Sequence, residues 1–145
     1  MAKIVYDITL MKYMSLFEKI TRARLKDCFS DSVTNQLVFV VSPGELGKAV
    51  GKKAVNVKKL ENLFKKNIKI IEYADDLMIF ITKAIYPLKL ADIKEEDGIV
   101  TMEGPDTKTK GLLIGRNAAN LRNLETVVKR YYPQLKEIKV IWEFK

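Results

Sequence analysis

Residues 47–54 read GKAVGKKA, and 64 positions later residues 111–118 read GLLIGRNA. Each stretch holds two glycines four apart, then a pair of residues with at least one basic, then an alanine. One Gly-x-x-x-Gly carries little information. The same spacing twice, in similar company, points to a duplicated device. At the offset of 64, Gly47, Gly51, Ala54, Asn56, Leu60 and Glu61 match Gly111, Gly115, Ala118, Asn120, Leu124 and Glu125, six identities over 15 aligned positions. Lys52 and Lys58 match Arg116 and Arg122 with the charge kept.

The flanking patterns repeat as well. From Asp7 to Thr21 the apolar residues Leu10, Tyr13, Met14, Phe17 and Ile20 recur at helical spacing, with Asp7 placed to cap. RLKDCFSD and QLVFVVS read as strands on either side of the turn-rich SVTN. Ser42-Pro43-Gly44-Glu45 predicts a capping box with proline at the first helical position. A short helix then breaks at Gly51, where a left-handed glycine is expected. A second helix is expected from Ala54 to Lys66, burying Val57, Leu60 and Phe64, and IKIIEY closes the unit as a strand.

In the second half LMIFITKAI reads as a helix ended by Pro87, and Asp97-Gly98 joins two strands as a hairpin. A short helix ends at Gly115, and a longer one is expected to bury Leu121, Leu124, Val128 and Tyr131. EIKVIWE is the closing strand, aligned with its counterpart only after a six-residue insertion near YYPQLK. The reading is α+β, two units of order α-β-β-α-α-β with a three-stranded sheet in each, spanning residues 1–74 and 75–145. The apolar residues of 74–87 leave no room for a flexible linker, so the units are expected to pack rigidly together.

Composition narrows the chemistry. The 145 residues include no histidine and one cysteine, Cys28, so the usual general base, the commonest zinc ligand and any thiolate cluster are missing. Cys28 is expected to be a small buried strand residue. No catalytic residue, metal site or cofactor is predicted. The N-terminus lacks the pattern of a secretory signal, and no apolar run approaches the length of a membrane span, so a cytoplasmic protein without a membrane partner is expected.

The net charge is +8, and its placement is informative. Residues 47–66 carry +6 and residues 108–130 carry +5, leaving the rest of the chain at −3. The whole positive excess sits in the two repeats, which favours a polyanionic partner over a merely solvated face.

A glycine between two helices suits such a partner. The second helix presents backbone N–H groups and the positive end of its dipole, and glycine lets a phosphate approach them. Lysine or arginine in the middle of the loop adds charge beside it. Candidate contacts are Gly51, Lys52, Lys53, Ala54, Asn56 and Lys59 in the first copy. Gly115, Arg116, Asn117, Ala118, Asn120 and Asn123 are their counterparts in the second. A nucleotide P-loop is excluded by the glycine spacing and by the missing Ser or Thr after lysine.

Val50-Gly51-Lys52-Lys53-Ala54 and Ile114-Gly115-Arg116-Asn117-Ala118 resemble the KH module, whose signature is an apolar residue and Gly-x-x-Gly between two helices. The element order is similar to that of the type II version. Two such units in tandem look like the compact archaeal type of NusA-like transcription factors. The resemblance implies binding of single-stranded RNA, in particular a nascent transcript, by loops that clamp about four nucleotides each. It also implies, on family grounds alone, a contact with RNA polymerase. A ribosome-associated KH protein, and a KH fold used for protein contacts, are the alternatives. The departure is the last glycine of each signature, replaced by Ala54 and Ala118, whose methyl groups would crowd a phosphate or oppose a positive φ.

Overall fold

The computed structural model describes residues 7–141. Two compact units part between Ala74 and Asp75. The first runs α1 (Ile8–Thr21), β1 (Leu25–Asp31), β2 (Gln36–Val41), α2 (Leu46–Val50), α3 (Val55–Phe64) and β3 (Asn67–Glu72). The second repeats the order as α4 (Leu77–Ala84), β4 (Asp92–Glu96), β5 (Ile99–Glu103), α5 (Thr107–Ile114), α6 (Ala119–Lys129) and β6 (Glu137–Ile141). Residues 142–145, with the last part of the expected strand EIKVIWE, lie outside the described residues.

Each unit has its own three-stranded sheet, ordered β1-β2-β3 and β4-β5-β6. In both, the first pair is antiparallel and the second parallel. A short turn suffices for the antiparallel pair, whereas the parallel pair needs a crossover, and the two-helix segment supplies it. The glycine loop is therefore carried at the middle of each crossover.

Helix α1 follows its periodicity. Asp7 caps it by accepting from the Leu10 amide at 2.8 Å, Phe17 is fully buried, and Leu10, Tyr13, Met14 and Ile20 pack against the core of Cys28, Leu37, Phe39, Leu60 and Phe64. Phe17 and Phe39 stack with ring centroids 4.3 Å apart. Cys28 is a buried strand residue, as its type suggests.

The sheets differ in one respect. In β5, Val100 and Met102 are buried while their neighbours are half-exposed, a one-sided pattern. In β2 every residue from Leu37 to Val41 is buried, so both faces are withdrawn from water. The signal lay in the sequence, since LVFVV has no alternation and VTM does. Lys69, paired with Val38 across β2–β3, shares this environment; burial lowers its pKa, with Asp31 opposing the shift.

Several expectations are corrected. No capping box forms at 42–45: the Glu45 amide donates to the Ser42 carbonyl at 3.1 Å, Gly44 takes φ 84°, and α2 begins only at Leu46. The Glu45 carboxylate accepts instead from the Arg24 amide at 3.0 Å, a partner 21 residues away that no local pattern announces. Helix α3 ends at Phe64 and leaves Val57 half-buried. In the second unit Leu124 and Tyr131 are half-buried, while Glu125, Val127 and Tyr132 are buried.

The six-residue insertion follows α6. Leu135 is buried, and the Lys136 amide donates to the Gly98 carbonyl at 2.7 Å, so the insertion folds onto the β4–β5 hairpin turn.

Candidate nucleic-acid interface

The two glycine loops have the same backbone. Gly51 has φ 78° and ψ 168°, and Gly115 has φ 74° and ψ 176°. These values lie in a region open in practice only to glycine, and not in the left-handed helical well expected for it. The left-handed residues come next. Lys53 and Ala54 have φ 54° and 59°, and Asn117 and Ala118 have φ 55° and 61°. The alanines thus adopt the positive φ that their methyl groups were expected to oppose.

This path turns the chain sharply from one helix into the next. Gly51 N–H donates to the Gly47 carbonyl at 3.0 Å and Gly115 N–H to the Gly111 carbonyl at 2.8 Å, closing α2 and α5. Ala54 N–H and Ala118 N–H then reach back to Gly51 and Gly115 at 3.1 and 3.2 Å. Lys52, Lys53, Arg116 and Asn117 are left exposed at the tips, with Gly51, Ala54, Gly115 and Ala118 half-buried behind them.

The helices that follow start without a side-chain cap. Asp7, Asp76 and Asp106 cap α1, α4 and α5 through their carboxylates, but α3 and α6 follow Ala54 and Ala118, which have no acceptor to offer. The first amides, of Val55 and Ala119, donate to the Lys52 and Arg116 carbonyls, so each start offers the following first-turn amides and the positive end of its dipole. Basic side chains and helix starts coincide twice.

Asn56 and Asn120 have a structural task. Their Nδ2 atoms donate to the carbonyls of Lys48 and Leu112, at 3.0 and 2.9 Å, bracing each loop against the preceding helix. A Cβ on Gly51 would lie 2.9 Å from Val55 Cγ1 and 3.0 Å from Asn56 Cγ; one on Gly115 would lie 2.6 Å from Asn120 Cγ. Glycine is required at both positions by conformation and by space. Gly47 and Gly111 are different, because a Cβ there would meet nothing within 4 Å.

A family model for the KH domain matches residues 12–97, more than half of the chain. The chain belongs to the KH domain family. It is 31% identical to the "Probable transcription termination protein NusA" of Methanocaldococcus jannaschii, over 99% of this chain and 78% of that protein. Against the protein of the same description from Methanococcus vannielii it is 34% identical, over 88% of this chain and 74% of the relative. The crystal structure of APE1850 superposes with a TM-score of 0.73 at 26% identity, covering 94% of this chain and all of that one. This is a NusA-like KH protein.

In this KH protein the candidate residues separate into groups. Lys52, Lys53, Arg116 and Asn117 form the exposed tips; Gly51, Ala54, Gly115 and Ala118 shape the backbone; Asn56 and Asn120 hold it. Lys59 is exposed on α3, five residues beyond Ala54, and its counterpart Asn123 is half-buried on α6. Arg122, a basic residue of the second window, is committed elsewhere: its Nη1 donates to both carboxylate oxygens of Glu125 at 2.8 Å, and that hydrogen bond raises its pKa.

Glu61 and Glu125, the sole acids of the two basic windows, also have a shared role. Glu61 Oε2 accepts from the Ile68 amide at 3.3 Å and Glu125 Oε2 from the Ile138 amide at 2.7 Å. Each fastens its helix to the closing strand. The separations are seven and 13 residues, and the difference is the insertion. The offset-64 identity was the signal for both the Asn and the Glu pairs, but it did not say that their partners are the chain's own backbone groups.

Proposed function

We propose that this protein is a single-stranded RNA-binding transcription factor of the NusA type, acting on nascent transcripts during elongation or termination. Its two units, 1–74 and 75–145, are two type II KH domains, each with a clamp for the RNA backbone. The reading rests on one observation above all: two loops of the same unusual backbone present exposed Lys52-Lys53 and Arg116-Asn117 beside uncapped helix starts.

In the mechanism proposed, a phosphate sits over each loop, held by backbone N–H groups, the helix dipole and the basic tip. Gly51, Lys52, Lys53, Ala54 and Lys59 serve the first clamp, and Gly115, Arg116, Asn117, Ala118 and Asn123 the second. Asn56 and Asn120 act through the loop shape they maintain. Gly47 and Gly111 support contact from outside, since glycine inside a helix costs stability and no internal neighbour requires it here. The exposed apolar side chains of Val55 and Leu112, one beside each loop, offer surface to bases. Arg116 can fork onto a phosphate where Lys52 supplies a point charge, so the second loop is the stronger clamp.

The protein acts by binding and not by catalysis, in the cytoplasm, and a contact with RNA polymerase is part of the proposal by family likeness. Among the described residues no helix is long and apolar enough to cross a membrane.

The test is affinity for single-stranded RNA against salt, for the parent and for two double variants, Lys52→Asp with Lys53→Asp and Arg116→Asp with Asn117→Asp. If about four to six phosphates are neutralised, log K falls against log salt with a slope of roughly −3 to −4 in the parent. Both variants should stay folded and lose affinity. Normal folding with undiminished binding in both would end the clamp assignment.

A further inference from the structure

We infer that the first unit carries a second RNA contact, at the far end of α3 from its glycine loop, which the second unit has lost. An open concavity of about 620 Å³ lies between the turn at 32–35, the C-terminal end of α3 and the start of β3. Asn35, Gln36, Asn62 and Asn67 line it together with Lys65 and Lys66. Carboxamides present a donor and an acceptor side by side, the pairing that a base edge asks for, and the lysines suit phosphate.

The two acids on the wall are engaged with the protein's own backbone. Asp31 Oδ1 accepts from the Val33 and Thr34 amides at 3.0 and 3.2 Å, and Glu61 accepts from Ile68. These hydrogen bonds hold both carboxylates to the backbone, while the Lys65 and Lys66 side chains are exposed. A nucleotide, with an anionic group and a hydrogen-bonding edge, matches this lining.

The concavity lies within reach of RNA already held by the loop. Helix α3 has ten residues and spans about 15 Å. Lys59 and Asn62, three apart and both exposed, share a face of α3 and lead from the loop toward the concavity, whose wall includes Asn62.

The second unit shows what has become of the same ground. Gln36 pairs with Asn67 as Ile99 pairs with Glu137, so the turn at 97–98 and the segment before β6 mark the corresponding place. There the chain's own insertion has settled. Lys136 donates to Gly98, Leu135 is buried, and a Cβ on Gly98 would lie 2.9 Å from the Gln134 carbonyl oxygen. That insertion is anchored by large apolar side chains, Tyr132 and Leu135. The first unit's concavity has no large apolar side chain in its lining to seat such an anchor, which favours a nucleotide over a peptide.

The inference rests on the RNA-binding reading, and the experiment separates the two. Arg116→Asp with Asn117→Asp silences the second loop as a background. In it, affinity is measured for random-sequence RNA oligomers of about four and about eight nucleotides. Adding Asn62→Ala and Lys66→Ala should leave binding of the shorter oligomer unchanged and weaken the longer one roughly three- to tenfold. Amide resonances of Asn35 and Asn67 should move with the longer oligomer only. An unaltered gain with length, in a protein whose binding still depends on Lys52 and Lys53, would overturn the second contact and leave the RNA reading standing. No binding of either oligomer by the parent would overturn both. Shifts at Asn35 and Asn67 with a synthetic peptide of residues 130–137, and none with RNA, would give the concavity to a peptide and overturn the proposal.

Discussion

Asn120 lies directly against Gly115: its amide nitrogen holds the Leu112 carbonyl, and its Cγ stands 2.6 Å from where a Cβ on Gly115 would be. Gly115→Ala therefore meets two penalties, a φ of 74° with ψ 176° and a clash with Asn120. The expected cost is about 2–3 kcal/mol. In an Asn120→Ala background the clash disappears and the backbone strain stays, so the cost should fall to about 1–2 kcal/mol. Urea unfolding of the four members of this double-mutant cycle measures the coupling. A cycle with no coupling would mean that the Asn120 side chain does not restrict the space at Gly115.

Ala54 and Ala118 hold left-handed conformations at the last loop position, before α3 and α6 begin. An L-residue with a Cβ is strained there by about 1–2 kcal/mol, and glycine is not, though glycine loses roughly 0.5–1 kcal/mol more chain entropy on folding. Ala54→Gly and Ala118→Gly should each stabilise their unit by about 0.5–1 kcal/mol. Because these residues precede the helices, no helix-propensity cost applies. RNA affinity should rise where the methyl obstructs the phosphate. Thermal denaturation and RNA titration of the two variants check the two effects separately.

Gly47 and Gly111 sit in α2 and α5 with open space beyond their Cα atoms. Alanine there should stabilise the helix by roughly 0.5–1 kcal/mol. If the glycines exist to admit the RNA backbone, the same variants bind RNA more weakly. Higher thermal midpoint with lower affinity is the expected pair of readings; higher midpoint with unchanged affinity would remove the glycines from the interface.

Asp106 caps α5 by accepting from the Thr109 amide at 2.7 Å, and that backbone hydrogen bond lowers its pKa. A depressed folded-state value means that the cap contributes fully above the unfolded-state pKa and is lost as pH falls through the folded one. Protection from hydrogen exchange at the start of α5, taken relative to the unfolded-chain rate at the same pH, should thus fall only in acid, below the ordinary aspartate range. Asp106→Ala should show the lower protection at neutral pH already, with no further loss in acid.

Much of this was legible because it is local. The apolar spacing of Leu10, Tyr13, Met14, Phe17 and Ile20 makes a helix with one buried face, and these five residues do meet the core. The Asp97-Gly98 pair makes a two-residue turn because both take positive φ, 52° and 83°. Gly51 and Gly115 mark the breaks between helices for the same kind of reason. The capping box at 42–45 failed where a local pattern met a distant competitor, since Glu45 was drawn to the Arg24 amide.

The sequence by itself determined the duplication, the order of elements, the two glycine loops and the concentration of positive charge around them. Spacing, backbone preference and formal charge belong to neighbouring residues and survive without knowledge of the fold. The tertiary structure alone decided that Asn56 and Asn120 brace the loops, that Glu61 and Glu125 fasten helix to strand, and that the insertion covers in the second unit what stays open in the first. A hydrogen-bonding side chain takes whichever partner folding brings within about 3 Å, and for these residues that partner lies between seven and 13 positions away along the chain.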